Sequence, residues 1–205
     1  MRALKVLSIS LVVTAIAIFA TKDIWNAKDI RLTFTAENSK DITYQAFYIN
    51  TLDSKYNEQQ SIKKHIATGI HNVEFILPTE KVVGLRLDFG SYPGTVLISD
   101  LKLIGGKTVN VLDDKEEQYW FSPDVTEHQF IDNHALRIVS NEADPYMVYK
   151  NRLNVTLINW SMLLQIILGT FFLAFLLSLL LTRKKTKKIE EKTKKIEEKT
   201  KKKQK

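Results

Sequence analysis

The sequence predicts a mainly β protein, an antiparallel β-sandwich or jelly roll set between an N-terminal apolar helix and a C-terminal transmembrane helix. Three observations carry that prediction: period-two hydrophobicity through residues 29 to 150, two uncharged apolar stretches outside them, and strongly segregated charge. Of 30 Lys+Arg and 23 Asp+Glu, residues 183 to 205 hold 13 and 4, a net of +9, leaving 17 and 19, a net of -2, for residues 1 to 182. The basic balance therefore belongs to a tail. The absence of cysteine excludes a disulfide scaffold, thiol catalysis, iron-sulfur sites and cysteine-ligated zinc.

Residues 1 to 5 (MRALK) form a short basic start on the cytoplasmic side, followed by an apolar segment over residues 6 to 21. Its uncharged run, VLSISLVVTAIAIFA from Val6 to Ala20, has 15 residues. That length suits either of two readings. One is a secretory signal peptide with Ala15-Ile16-Ala17 as a small-x-small cleavage site; the other is a retained signal anchor, with Lys5 and Trp25 at the two interfaces. Ile18 and Phe19 continue the apolar run past the cleavage site and favour the anchor. Both readings export the domain at residues 22 to 157.

Within that domain, Ile30, Leu32 and Phe34 alternate with Arg31, Thr33 and Thr35, and the run 42 to 49 is rich in β-branched and aromatic residues. Ile62 and Ile66 flank Lys64. Val73, Phe75 and Leu77 alternate before Pro78; Leu85, Leu87 and Phe89 alternate with Arg86 and Asp88. The next run, Val96, Ile98, Leu101 and Leu103, slips by one residue at Asp100, which points to a bulge. Val109 with Val111, Leu136 with Ile138, and Tyr146 with Val148 complete about nine short strands. Crossover helices for a parallel sheet are not evident, so sandwich or jelly-roll architecture is expected.

Residues 158 to 182 form the transmembrane helix: Trp160 to Thr182 carries no charge over 23 residues, about 35 Å of helix against a hydrocarbon layer of about 30 Å. Arg183, Lys184, Lys185, Lys187 and Lys188 stop it and, by the positive-inside rule, mark the cytoplasmic end. Residues 183 to 205 then repeat KTKKIEE, with only Ile189 and Ile196 apolar in the period of seven. One apolar position per heptad makes no coiled-coil seam, and the tail reads as a basic segment attracted to anionic lipid headgroups.

The phrases FYIN (47 to 50), YNEQQSI (56 to 62), VEFILP (73 to 78), LRLDFGSYPG (85 to 94) and VLISDLKLIG (96 to 105) resemble the β-sandwich accessory domain of bacterial surface-polysaccharide glycosyltransferase-type membrane proteins. The resemblance spans residues 44 to 105, about a third of the chain. It implies a carbohydrate-binding jelly roll working beside a glycan-assembly enzyme. The chain lacks the catalytic membrane portion of such proteins, so no transferase activity is implied.

The residues themselves offer little reaction chemistry. His65, His71, His128 and His134 have no metal-ligand spacing, and no nucleophile motif or phosphate-binding glycine loop is present. No catalytic residue, metal ligand or cofactor is therefore assigned, although Glu74, Asp88 and Asp100 offer oxygens of the kind a structural calcium takes. The informative group is aromatic: Tyr44, Phe47, Tyr48, Tyr56, Tyr92, Tyr119, Trp120 and Phe121. Sugar rings stack their C–H faces on such side chains while amides hold the hydroxyls. Tyr44, Gln45, Tyr48, Tyr56 and Trp120 are the candidate glycan-binding residues. The expected protein is not an enzyme. It is an accessory of surface-polysaccharide (lipopolysaccharide, O-antigen or capsule) synthesis, modification or export in the bacterial inner membrane, with a periplasmic domain and a cytoplasmic C-terminus. Its expected partners are membrane lipids, a glycan or lipid-linked precursor, and a membrane glycosyltransferase, with no nucleic acid. The alternative is a structural subunit that binds protein without sugar.

Overall fold

A computed structural model describes residues 2–90, 93–112, 116–132, 134–141 and 144–203. The chain divides into two compact units, residues 25–159 on the one hand and residues 1–24 with 160–205 on the other. It is mainly β, and all the sheets among the described residues are antiparallel.

The strands in chain order are β1 (Ile30–Asn38), β2 (Ile42–Ile49), β3 (Ser61–Ile66), β4 (Gly69–Leu77), β5 (Lys81–Val82), β6 (Gly84–Asp88), β7 (Gly94–Ile104), β8 (Thr108–Asn110), β9 (Tyr119–Phe121), β10 (Val125–Asp132), β11 (Ala135–Ser140), β12 (Tyr146–Tyr149) and β13 (Val155–Thr156). The first sheet runs β10-β11-β7-β1-β4, with β8 also paired to β7; the second runs β3-β2-β6-β12-β9; β13 and β5 form a small third. Alternation turns one face of each large sheet inward. Leu32, Phe34, Phe75 and Ile98 of the first share one apolar core with Tyr44, Leu85, Leu87 and Met147 of the second. The Phe34 ring meets the Tyr44 ring edge-on at 5.3 Å, joining the two sheets.

The slip expected at Asp100 is a bulge on β7. Thr33 stands opposite Lys102 and Thr35 opposite Ser99, so β7 carries the extra residue, and Asp100 takes a left-handed φ of 55° that aspartate tolerates better than most residues. Four strands were not anticipated: β5, β9, β10 and β13. β10 is an edge strand whose two faces are both largely solvated, so its sequence VTEHQFID has no reason to alternate.

The two ends of the β unit are tied together. Ala27 N donates to Leu157 O at 2.9 Å, and Asn159 N donates to Trp25 O at 2.8 Å. The turn at Gly105 and Gly106 is pressed against this exit segment: Gly106 N donates to Thr156 O at 2.7 Å, and a Cβ on Gly106 would lie 2.5 Å from Asn159 N.

The other unit comprises α1 (Arg2–Ala20), most of α2 (Lys22–Trp25), and α3 (Trp160–Lys203). One described helix is long and apolar enough to cross a membrane, α3 over Trp160–Lys185; the apolar part of α1, Val6–Ala20, is shorter. α3 continues as one helix through the basic repeats to Lys203.

Candidate functional site: the outer face of the second sheet

The second sheet turns its other face to solvent, and register sets the order of residues across it. One row runs Lys63, Gln45, Asp88 and Tyr146; the next runs Ser61, Phe47, Arg86, Val148 and Trp120. At the centre, Arg86 donates from Nε to Asp88 Oδ1 at 2.7 Å and from Nη2 to Asp88 Oδ2 at 2.8 Å. Asp144 stands 3.7 Å from the same guanidinium. The guanidinium also lies over two rings, 3.6 Å from the Tyr146 centroid and 4.9 Å from that of Phe47. Trp120 adjoins Tyr146 with centroids 5.3 Å apart, and on the short edge strand β9 it is 46% exposed.

The chain between β2 and β3 folds back over the other half of this face. Asn57 caps the 3-10 turn Glu58–Gln60 by accepting from Gln60 N at 3.1 Å. Gln45 Nε2 donates to Glu58 Oε2 and to Ser61 Oγ, both at 2.8 Å, and Lys63 pairs with Glu58 at 3.4 Å. The Tyr56 hydroxyl sits above Gly84, 3.0 Å from where a Cβ there would stand. Phe47 and Gln45 are consequently buried although they point away from the core.

Burial governs the electrostatics. It pushes the Asp88 carboxyl above its ordinary value, against the pull of the Arg86 hydrogen bonds and charge. Burial opposes the charge on Arg86, but hydrogen bonding to Asp88 and the charges of Asp88, Tyr146 and Asp144 hold its pKa above the usual value. The Tyr56 hydroxyl is pushed up to about 12 by burial, despite Arg86. The Gln45 hydrogen bond leads in holding Glu58 below the ordinary carboxylate range. Arg86 and Asp88 thus form an internally satisfied ion pair that fixes the posture of Tyr146.

The candidate residues read from the sequence divide into two groups. Gln45, Tyr56 and Trp120 lie on this outer face, while Tyr44 and Tyr48 do not. Tyr44 is fully buried and Tyr48 is 4% exposed, both within the core, so neither ring is available for stacking. Tyr44 instead donates its hydroxyl to Asn38 Oδ1, and burial raises its pKa. The correction follows from strand geometry: with Tyr44, Ala46 and Tyr48 inward, the exposed-platform face of β2 would be that of Gln45 and Phe47, which the 50s segment covers. Tyr92 lies outside the described residues. Sequence reasoning missed Arg86, Asp144 and Tyr146 as parts of the site. An available signal was the opposite charges at Arg86 and Asp88, two residues apart and hence on one face of a strand.

The chain matches no known family model, no curated protein and no solved structure. The outer face of the first sheet has a groove of about 370 Å³ lined mainly by Thr33, Thr35, Asn72, Glu74, Asp100 and Lys102, with no exposed aromatic ring among them. Glu74 and Asp100 border that groove, whereas Asp88 belongs to the other sheet, so the three carboxylates considered for calcium are divided. No group of three His, Asp or Glu suited to a metal ion occurs among the described residues. His128 bonds Glu116 at 2.7 Å and stacks on Phe121, and His65 contacts Thr43 at 3.2 Å. These are separate local contacts.

Proposed function

We propose that this chain is a membrane-anchored accessory protein of bacterial surface-polysaccharide assembly, whose periplasmic β-sandwich binds glycan through the outer face of the second sheet. The observation that carries the reading is the half-exposed Trp120 beside Tyr146, with Tyr146 held by the Arg86–Asp88 pair. An indole on an edge strand gives a sugar ring a flat apolar surface, and Asp144, 3.7 Å from the Arg86 guanidinium and with its side chain 64% exposed, offers acceptors for sugar hydroxyls. The 50s segment walls the β2 side, so a glycan would lie over β12 and β9 and leave past the β9 edge. The resemblance of residues 44 to 105 to glycan-assembly accessory domains agrees with this reading. The role is binding, without catalysis; a net of -2 over residues 1 to 182 disfavours nucleic acid as a partner. With the tail in the cytoplasm of the inner membrane, tethering would hold a weak binder near the glycosyltransferase it serves.

The test is titration of the full chain in lipid nanodiscs with oligosaccharides released from lipopolysaccharide and capsule. Weak saturable binding that Trp120→Ala weakens about tenfold is expected; absence of binding by the unaltered protein to every oligosaccharide rejects the glycan reading. Cytoplasm-dependent reporters fused at residue 205 should be active, and those at residue 110 silent. One feature favours the alternative of a protein-docking subunit: the edge strand β4 exposes Ile70 and Ile76 on its outer face. Substituting both with Lys would disrupt a membrane complex under that alternative and leave sugar binding intact.

A further inference from the structure

The helical unit exposes its large apolar side chains and buries small ones, three of them hydroxylated. α1 and α3 pack along each other, and the described residues buried on them are Val6, Ser10 and Thr14 from α1 and Ala174 and Ser178 from α3. Large apolar residues point outward instead, among them Leu11, Ile16 and Phe19 on α1 and Leu168, Phe172 and Leu180 on α3. Ser10 and Thr14 are four residues apart, as are Ala174 and Ser178, so each pair occupies one helix face. The Ser10 hydroxyl donates to Val6 O at 3.0 Å and that of Thr14 to Ser10 O at 2.9 Å, so both are satisfied within their own helix without water.

In water the hydrophobic effect would reverse this distribution, drawing leucines and phenylalanines inward and leaving the hydroxyls outside. In lipid the large apolar surface is stable where it is, and small side chains let two helix backbones approach closely. A transient leader needs only apolar length. It has no need of a face matched to a helix some 150 residues later. We infer that α1 is a permanent membrane helix, seated on α3 through the seam of Ser10, Thr14, Ala174 and Ser178, and that Ala15-Ile16-Ala17 is not used as a cleavage site. The apolar part of α1, Val6–Ala20, is about 22 Å of helix, shorter than the roughly 30 Å hydrocarbon layer, a mismatch that local thinning of the bilayer accommodates. Cleavage after Ala17 would remove Ser10 and Thr14 and leave Ala174 and Ser178 facing lipid.

The full chain, carrying one epitope at each end and expressed in a Gram-negative host, tests this. Membrane-bound protein should keep both epitopes and the mass of the uncut chain; a new N-terminus at Ile18 overturns the inference. Because the sequence has no cysteine, the seam can be probed directly. Ser10→Cys or Thr14→Cys is combined in turn with Ala174→Cys or Ser178→Cys and oxidised in membranes. At least one of these combinations should form an intramolecular disulfide, whereas Ile9→Cys with Leu177→Cys, at exposed positions, should not. An uncut chain in which no seam combination cross-links overturns it equally.

Discussion

Arg86 and Asp88, two residues apart on one strand, form a two-pronged ion pair on the outer face of the second sheet, with both hydrogen bonds under 3 Å. Their side chains are only 21% and 11% exposed, so losing the cation leaves a carboxylate desolvated without its partner. Arg86→Ala should destabilise the fold by about 2 to 4 kcal/mol near neutral pH, somewhat under the range for fully buried pairs. The pH dependence has a definite sign. Burial raises the Asp88 pKa in the folded state, so the native protein holds that proton more tightly than the unfolded chain. Its contribution to stability therefore grows as pH falls through the window just above the ordinary carboxylate value. Arg86 opposes the shift, and its removal widens that window. Denaturant melts of Arg86→Ala should show a smaller deficit at about pH 4.5 than near neutrality; a deficit independent of pH would mean that Asp88 does not feel the loss.

The core gives a second, contrasting prediction. Leu87 is fully buried, and Leu87→Ala should cost about 2 to 5 kcal/mol through the cavity it leaves. Tyr44→Phe keeps the ring but deprives Asn38 Oδ1 of its donor, and Asn38 is itself buried. That change should cost about 1 to 3 kcal/mol in thermal or urea melts without altering any binding property. If Tyr44→Phe were neutral for stability and harmful to ligand binding, the placement of Tyr44 in the core would be wrong.

The strands with one dry and one wet face were legible because alternation is imposed by burial. Leu85, Leu87 and Phe89 occupy the core with Arg86 and Asp88 on the opposite face, and the slip at Asp100 is a true extra residue on β7. β10 was illegible because neither of its faces is dry enough to impose a pattern, unlike the other edge strand β4, whose Val73, Phe75 and Leu77 are buried. The site was half legible for a different reason. Composition suggested that aromatics matter, but the face each ring takes depends on which strand neighbours it. On β2 the 50s segment buries Phe47 and Gln45 on the outer face, so both faces are buried there and period two in burial is lost. Tyr146 acquires its role only from Arg86 and Trp120, which come from two other strands.

Gly106 makes a third case, in which space rather than backbone conformation selects glycine. A methyl group there would meet the backbone of Asn159, Ile158 and Leu157 at 2.5 to 2.7 Å, and a main chain held by ladder hydrogen bonds cannot yield as a side-chain tip can. Gly106→Ala should therefore cost about 3 kcal/mol, at the upper end of ordinary overpacking penalties. Hydrogen exchange should show protection falling first at Ala27 and Asn159, whose amides close the two ends of the unit. Uniform loss of protection across both sheets would contradict a local disturbance.

Tyr146 separates the contribution of a ring from that of a hydroxyl at the proposed glycan face. Its ring covers the Arg86 guanidinium at 3.6 Å and adjoins Trp120 at 5.3 Å. Tyr146→Phe keeps both contacts, whereas Tyr146→Leu loses the cation–π contact, worth about 0.5 to 2 kcal/mol, and frees the indole to move. Trp120 is half exposed on a three-residue edge strand, so Trp120→Ala should change the melting temperature little. If a sugar stacks on the indole, Trp120→Ala should weaken binding by about tenfold, the equivalent of about 1.4 kcal/mol. Tyr146→Leu should weaken it less, through disorder of Trp120, and Tyr146→Phe should leave it within about twofold of the unaltered protein. The ordering is diagnostic because a purely structural role predicts a different one: Tyr146→Leu, which strips cover from a half-buried ion pair, would then exceed Trp120→Ala in every readout. Parallel titrations and thermal melts of the three variants in nanodiscs resolve the two orders. Binding that follows thermal stability variant by variant would remove Trp120 from the site.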